Sequence, residues 1–304
     1  MKAMLYEAFG GPEVLRLGEV DEPRPADGEL LVEVAYAGVN PFDWKLRRGY
    51  FGSMFEFVFP VVAGMDFAGT VTRVAGDVRG FAVGDRVMGM NFSLPMRGGS
   101  YGEFTAVAAA QVAAVPRGMS LERAAALPMA ALTAAQALAE LKSGDVCLIQ
   151  AGAGAVGTVA IQLAKRAGAK VYTTASASNL GFVRSLGADV AIDYRAQDFA
   201  HEIDEPLDRI VDCIGGDVLA KSYDLLAPGG TLVSMVEPPD PTRYDAPMFG
   251  VVSQGEQLAP LARTFADGGL VAPRFETRPL AEGAQAHADS EAGRGLKTVL
   301  AVRP

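Results

Sequence analysis

The sequence predicts an α/β protein of two domains: a β-rich domain of small-barrel or Greek-key type and a domain built on a doubly wound parallel sheet. Three observations carry that prediction. The 304 residues exceed what one hydrophobic core usually fills, so two domains are expected. The first third holds short β-branched runs divided by turn signals, whereas from about Pro128 strand-like and helix-like runs alternate. A turn spaced by three glycines then stands where the first strand of the alternating part meets its first helix.

Taken in order, "LLVEVAYAG" (30–38) and "FAGTVTRV" (67–74) read as strands, punctuated by "PADG", "AGDVRG" and "VGDR". Past Pro128, strands are expected at "DVCLIQ" (145–150), "KVYTTA" (170–175), "VAID" (190–193), "RIVDCI" (209–214) and "TLVSMV" (231–236), with helical stretches such as "NLGFVRSLG" and "DVLAKSYDLLA" between them. "MFGVVS" (248–253) is expected to add a sixth strand at an edge. A helix-like run follows over 256–267, and "RFETRPL" and "LKTVLAV" read as strands that return to the first domain. The expected domains are therefore 1–127 with 254–304, and 128–253.

Gly152, Gly154 and Gly157 form G-x-G-x-x-G in "LIQAGAGAVGTVAIQLAKRAGAK" (148–170). The pattern alone is weak. Here it follows an apolar strand and opens a run with Val156, Val159, Ala160, Leu163, Ala164 and Ala167 at helical spacing. That order suits dinucleotide binding: one glycine exits the strand tightly, one leaves room for a pyrophosphate, and one lets helix pack on sheet. The helix start, at Ala155 and Val156, offers free N–H groups and a positive dipole end.

Composition excludes several classes. A net charge of −9 argues against a general nucleic-acid binder. The N-terminus lacks a basic start followed by an apolar stretch. The Ala-rich run over 124–139 is short and interrupted by Pro128, Thr133 and Gln136, so no membrane span is expected. A soluble cytoplasmic protein follows. Cys147 and Cys213 fall in strand-like runs and are expected to be reduced core thiols. His201 and His287 lie in helix-like polar stretches and are expected at the surface. Two Cys and two His assemble neither a catalytic nor a four-Cys zinc site.

Several segments in order resemble the zinc-independent quinone oxidoreductases of the medium-chain dehydrogenase/reductase superfamily: "AGVNPFDWKLRRG" (37–49), "FPVVAGMDFAGTV" (59–71), "VGDRVMG" (83–89), "GSYGEFTAV" (99–107), "ALPMAALTA" (126–134) and the glycine turn. The resemblance implies a GroES-like barrel domain plus a Rossmann domain, a nicotinamide cofactor in the cleft between them, and a homodimer, for which "MFGVVS" is the expected joining edge. The zinc alcohol dehydrogenases of that superfamily are similar in order. Where they place a metal-ligating Cys this chain has Asn40, and where they place "GHE" it has Gly64, Met65 and Asp66. No stoichiometric zinc is expected.

Without a metal Lewis acid, oxidation of a simple alcohol loses its usual support. Hydride addition to an enone or quinone needs only hydrogen-bond donors for the anionic charge that develops. The expected function is therefore an NADPH-dependent reductase of quinones or α,β-unsaturated carbonyls. An enoyl or enone reductase of a biosynthetic pathway is the close alternative, and a non-catalytic, redox-sensing NADPH binder is the alternative from another class.

Candidate catalytic residues are Asn40, Asp43, Lys45 and Tyr50; by resemblance an Asn and an Asp match the first two, and Lys45 stands where a Tyr is common. The competing reading of Asp43 with Lys45 is a solvent-facing ion pair, and that of Tyr50 is packing against Phe51, Phe55 and Phe57. By resemblance Thr133 lies near the nicotinamide, unless it only starts a helix. Gly215 ends a strand where ligands gather in this fold, and by resemblance Phe249, Val251 and Ser253 pass the nicotinamide. Roughly 20 residues past the glycines, where an NAD enzyme places Asp or Glu, stands Ser176, and no carboxylate lies between Tyr172 and Asp189. Ser176 and Ser178 can donate to a 2′-phosphate, and by resemblance Tyr194 and Arg195 close over it. The competing reading is that the serines cap the next helix.

Overall fold

β-branched and aromatic runs become strands where the pattern predicts them, and the chain leaves one unit, builds a second and returns. The computed structural model describes residues 1–294 and 296–303. It divides into Met1–Met129 with Ser253–Pro304, and Ala130–Val252, named for their expected roles the catalytic unit and the nucleotide unit.

The catalytic unit opens with β1 (Lys2–Tyr6), β2 (Arg16–Glu19), β3 (Glu29–Gly38), α1 (Pro41–Arg47), β4 (Val61–Val62), β5 (Asp66–Val74), β6 (Arg86–Met90), β7 (Phe104–Ala108), β8 (Val112–Ala114) and α2 (Leu121–Ala125). Helix α3 (Pro128–Ala137) carries the chain into the nucleotide unit. There follow β9 (Val146–Ile149), α4 (Ala155–Ala167), β10 (Lys170–Ala175), α5 (Leu180–Ser185), β11 (Val190–Asp193), α6 (Phe199–Glu202), β12 (Leu207–Asp212), α7 (Gly216–Ser222) and β13 (Leu226–Ser234). The return supplies α8 (Gly255–Ala266), β14 (Phe275–Pro279), α9 (Gly283–Glu291) and β15 (Lys297–Ala301).

In the catalytic unit one sheet runs β14-β15-β3-β5-β6-β8 with β7 paired to β3, and a smaller one runs β2-β1-β4. Their inner faces meet in an apolar core that includes Met4, Leu30, Val32, Val34, Phe67, Val71, Val87 and Leu300. Each such side chain contributes about 1.5–3 kcal/mol on burial. β15 pairs antiparallel with β3, Val299 facing Gly38, so the last strand lies beside the segment that leads into α1.

The nucleotide unit is a parallel sheet in the order β11-β10-β9-β12-β13. The order reverses direction between β9 and β12, the place where open α/β sheets bind ligands at strand C-termini. β10 is buried from its second residue to its last, as a parallel strand covered on both faces must be. Its core includes Leu148, Tyr172, Ile192, Leu207, Ile210 and Leu232.

Residues 248–253 form no strand, which corrects the expected sixth one. Phe249 N–H does donate to Ser234 O (2.8 Å), one bond of the kind a ladder would make. The Gln136 side chain then intervenes: its Oε1 accepts from Val252 N–H and its Nε2 donates to Val252 O, both at 2.8 Å. With both backbone groups of Val252 taken, no ladder can propagate. Among the described residues no helix is long and apolar enough to cross a membrane.

Candidate active site

The glycine turn divides into two kinds of glycine. A Cβ on Gly157 would lie 2.5 Å from Ala151 O and 2.6 Å from Gly152 Cα, and one on Gly152 would lie 2.1 Å from Thr173 Oγ1. These two are required by protein packing. A Cβ on Gly154 would meet only Ala151 O, at 3.2 Å, and Gly154 is exposed. Space over Gly154 is thus left to something other than protein. Gly154 is the N-cap of the 13-residue α4, and the first N–H groups of that helix, those of Ala155 and Val156 among them, have no partner within it. A pyrophosphate fits this arrangement.

Ser176 and Ser178 stand beyond β10. Their hydroxyls lie 3.2 Å apart, and Asn179 Nδ2 donates to Ser176 Oγ at 3.0 Å. Ser176 stands at the N-cap of the short turn 177–179, where its side chain makes no cap bond. On the neighbouring strand end, Arg195 Nε donates to Tyr194 Oη at 3.2 Å, and the guanidinium sits 5.5 Å from the ring centroid. Linear counting does not reach one carboxylate, that of Asp193, which pairs in register with Ala175. Its Oδ1 accepts Arg195 N–H at 3.1 Å within its own turn.

Thr133 is buried at the sixth position of α3, not at a helix start. Gly215 has φ of +78°, a left-handed conformation that favours glycine. Its N–H and that of Ile214 donate to Asp212 Oδ1 at 3.0 Å, while Ser234 Oγ donates to Asp212 Oδ2 at 2.8 Å. Asp212 thereby ties two strand ends together, a role that nothing in the sequence pattern signals. Ser253 Oγ donates to Met90 O at 2.5 Å. Both thiols are pushed up to about 12 by burial, so neither is a nucleophile at neutral pH.

In the catalytic unit β3 delivers Asn40 to the start of α1. Asn40 N–H donates to Asp43 Oδ2 at 2.8 Å, and Tyr101 Oη donates to the same oxygen at 2.9 Å. Asp43 Oδ1 is buried without a protein partner. Asn40 Nδ2 donates to Asp66 Oδ2 at 2.9 Å, and Met129 N–H donates to Asp66 Oδ1 at 2.9 Å. From β15, Lys297 Nζ donates to Asn40 Oδ1 at 2.6 Å and reaches Asp66 Oδ2 at 3.2 Å. Burial, reinforced by the Asp66 charge, holds the Asp43 carboxyl at about 7 despite the Asn40 N–H bond that favours its ionised form.

Several expectations change here. Asp43 is 2% exposed, so it is no surface ion pair. Lys45, two residues along α1, lies on another face, with its Nζ 5.9 Å from the Trp44 ring centroid. Tyr50 is exposed and meets Trp44 edge-on at 5.7 Å, while Phe51 stacks on Phe55 without it. Asn40 and Asp43 thus share one cluster; Lys45 and Tyr50 lie outside it, beside Trp44.

His201 is exposed as expected, but His287 is fully buried. Its Nδ1 accepts from Arg47 Nε at 3.3 Å and its ring meets Tyr101 edge-on at 5.7 Å. Burial first, and then the Arg47 charge, push it down to about 3, so it is neutral. Arg47, itself fully buried, also donates to Gly10 O (2.5 Å) and Glu291 Oε2 (2.9 Å). The alanines around His287 in "GAQAHADSE" are the signal that this helix turns an apolar face inward.

The Asn40 and Asp66 side chains do not fit a metal. An ammonium already stands against Asn40 Oδ1 and Asp66 Oδ2, and no group of three His, Cys, Asp or Glu gathers among the described residues.

Comparison with known proteins agrees with this architecture. The alcohol dehydrogenase GroES-like domain model matches residues 26–117, and the model described as zinc-binding dehydrogenase matches residues 155–257. The chain is 36% identical over 287 residues to 2-methylene-furan-3-one reductase of Solanum lycopersicum, spanning 91% of this chain and 72% of that protein. It is 34% identical over 282 residues to the chloroplastic NADPH-dependent alkenal/one oxidoreductase of Arabidopsis thaliana, spanning 90% and 71%. The structure of the quinone oxidoreductase from Coxiella burnetii matches with a TM-score of 0.90 at 34% identity, over 100% of this chain and 99% of that one. With a GroES-like domain, a five-stranded nucleotide sheet and relatives of this similarity along nearly its whole length, the chain belongs to the quinone oxidoreductase-like family of the medium-chain dehydrogenase/reductase superfamily.

Proposed function

We propose that this enzyme is a metal-independent, NADPH-dependent reductase of quinones or α,β-unsaturated carbonyls. The observation that carries the reading is the polar cluster of the catalytic unit, where Asn40, standing at the place of a metal-ligating Cys, has its Oδ1 held by the Lys297 ammonium, which also reaches Asp66. The names of the relatives, one an NADPH-dependent alkenal/one oxidoreductase and another a quinone oxidoreductase, support the same substrate class. When bound, NADPH supplies the hydride. Gly154, Ala155 and Val156 hold its pyrophosphate, with Gly152 and Gly157 shaping the turn. Ser176, Ser178, Tyr194 and Arg195 receive the 2′-phosphate. Thr133, Gly215, Phe249, Val251 and Ser253 line the remaining cofactor path. Asn40 donates to the oxygen on which charge develops, and Lys45 and Tyr50 offer further donors; Asp43 orders the start of α1 through Asn40 N–H.

The enzyme is cytoplasmic in this reading and works as a homodimer. Because residues 248–253 form no strand, the sheet edge that a second copy would meet is β13.

The test is a panel of quinones, enals, enones and alcohols with NADPH consumption as readout. Turnover of the first three and not of alcohols is expected. Oxidation of simple alcohols at a comparable rate, or intact NADPH binding with no turnover of any acceptor, would overturn the reading.

Cofactor choice is tested separately. Ser176→Asp adds a carboxylate beside the expected 2′-phosphate, a like-charge contact that costs several kcal/mol. kcat/KM for NADPH is expected to fall by about 100-fold while that for NADH holds or rises. Equal use of both cofactors by the unsubstituted enzyme would defeat the assignment.

A further inference from the structure

An ammonium has three hydrogens. Lys297 Nζ lies 2.6 Å from Asn40 Oδ1, 3.2 Å from Asp66 Oδ2 and 3.4 Å from Val39 O, one acceptor for each hydrogen. The side chain is 4% exposed and its Asp66 partner 0%. Lys297 therefore has no hydrogen left for a substrate. Asp66 is equally committed, accepting from Met129 N–H on one oxygen and from Asn40 and Lys297 on the other. Asn40 keeps something in reserve: one Nδ2 hydrogen goes to Asp66, and the second has no partner among the described residues.

The ammonium also decides which way round the Asn40 amide sits. Reversed, the amide would set Oδ1 against the Asp66 carboxylate and Nδ2 against the ammonium, an acceptor on an acceptor and a donor on a donor. Without Lys297 the second constraint disappears, and only the Asp66 carboxylate is left to orient the amide.

We propose that Lys297 is a positioning residue for Asn40: its buried ammonium fixes the Asn40 amide so that the free Nδ2–H is always presented to the reacting oxygen. This rests on the reading above that Asn40 is the donor. The residue reaches this place on β15, as an embedded cation held between Asn40 and Asp66.

The experiment is a double-mutant cycle between Lys297→Met and Asn40→Ala, with kcat, the KM for NADPH and the melting temperature measured for each protein. Asn40→Ala is expected to lower kcat by about 100-fold, as loss of one donor to a developing oxyanion does. Lys297→Met is expected to lower kcat by about tenfold with the KM for NADPH unchanged. In the Asn40→Ala background it is expected to have no further effect on kcat, because it acts through a side chain that is no longer there. Equal fold losses in both backgrounds overturn the role of Lys297 while leaving that of Asn40 standing. An Asn40→Ala protein with unchanged kcat overturns the donor reading, and this inference with it.

Lys297→Met leaves a lone buried carboxylate and can fail to fold. The paired variant Asp66→Asn with Lys297→Met removes both charges, and the same tenfold loss is expected in it. A kcat per folded molecule equal to that of the unsubstituted enzyme in the paired variant would show that Lys297 serves stability alone.

Discussion

Gly157→Ala is expected to cost roughly 1–3 kcal/mol of stability, as overpacking against unyielding atoms does, and Gly154→Ala to abolish tight NADPH binding with little change in stability. The two glycines are three residues apart in one motif, yet their surroundings differ. A methyl at 157 would press on the backbone of Ala151 and Gly152 at 2.5 and 2.6 Å, and neither can retreat without moving the end of β9. A methyl at 154 meets a single carbonyl oxygen at 3.2 Å. Its structural cost is that of a poorer N-cap, about 1 kcal/mol or less. Its functional cost is a methyl in the space a pyrophosphate needs, and an increase in NADPH Kd of about 100-fold is expected, close to the loss of one strong charge-assisted contact. Thermal melts of the cofactor-free proteins and a fluorescence titration with NADPH separate the two effects. Equal melting-temperature losses in both variants would refute the division of labour.

The second large effect concerns pH. Burial holds Asp43 at about 7 against an ordinary value of 3.8. Between those values the folded state keeps a proton that the unfolded state has released. Asp43 therefore contributes stability that is fully present below about 4 and is lost as pH rises through about 7. The unpartnered Oδ1 is the oxygen free to carry that proton, since Oδ2 already accepts from Asn40 N–H and Tyr101 Oη. His287 acts in the opposite sense. Its folded value of about 3 lies below the ordinary 6.5, so its contribution is complete above about 6.5 and is lost as pH falls toward 3.

Each group supplies a slope of about 1.4 kcal/mol per pH unit inside its window, and between about 4 and 6.5 the two slopes oppose. Denaturant unfolding from pH 4 to 8 exposes them one at a time. Relative to the unsubstituted protein, Asp43→Asn is expected to gain stability as pH rises from 4 to 7, and His287→Gln to lose it from 4 to 6.5. A pH-independent difference for Asp43→Asn would mean that Asp43 is ionised throughout.

Much of the nucleotide unit was legible in the sequence because its determinants are local. Strand β10 runs over Lys170–Ala175 and β11 over Val190–Asp193, the spans that β-branched content and flanking turns predict. The glycine motif opens α4 because Gly154 and Gly157 answer to Ala151 and Gly152, a few positions away, whereas the packing of Gly152 against Thr173 comes from the neighbouring strand. The Ser176 position was likewise readable by counting roughly 20 residues on from the glycines to the end of the next strand. Asp193 was not, because parallel pairing brings it beside Ala175 from 18 residues away.

The candidate catalytic cluster lay further from sight. Asn40 and Asp43 were found as residue types in a segment after a strand, but whether Asp43 faced water or the interior depended on Tyr101, 58 residues along. His287 looked like a surface histidine in a polar helix until Arg47, 240 residues away, supplied a buried partner. Gln136 read as an interruption in an apolar helix, and its amide proved to close off the backbone of Val252 and with it the sixth strand.

What the sequence by itself determined was the order of strands and helices, the glycine cradle and the residue types available for chemistry, since propensity, periodicity and turn geometry act over a few residues. Only the tertiary structure decided which charges are buried and what neutralises them. Lys297 meets Asn40 across 257 residues and Asp66 across 231. The cost of burying an ion is offset only by partners in three-dimensional contact with it, and no local pattern along the chain records that contact.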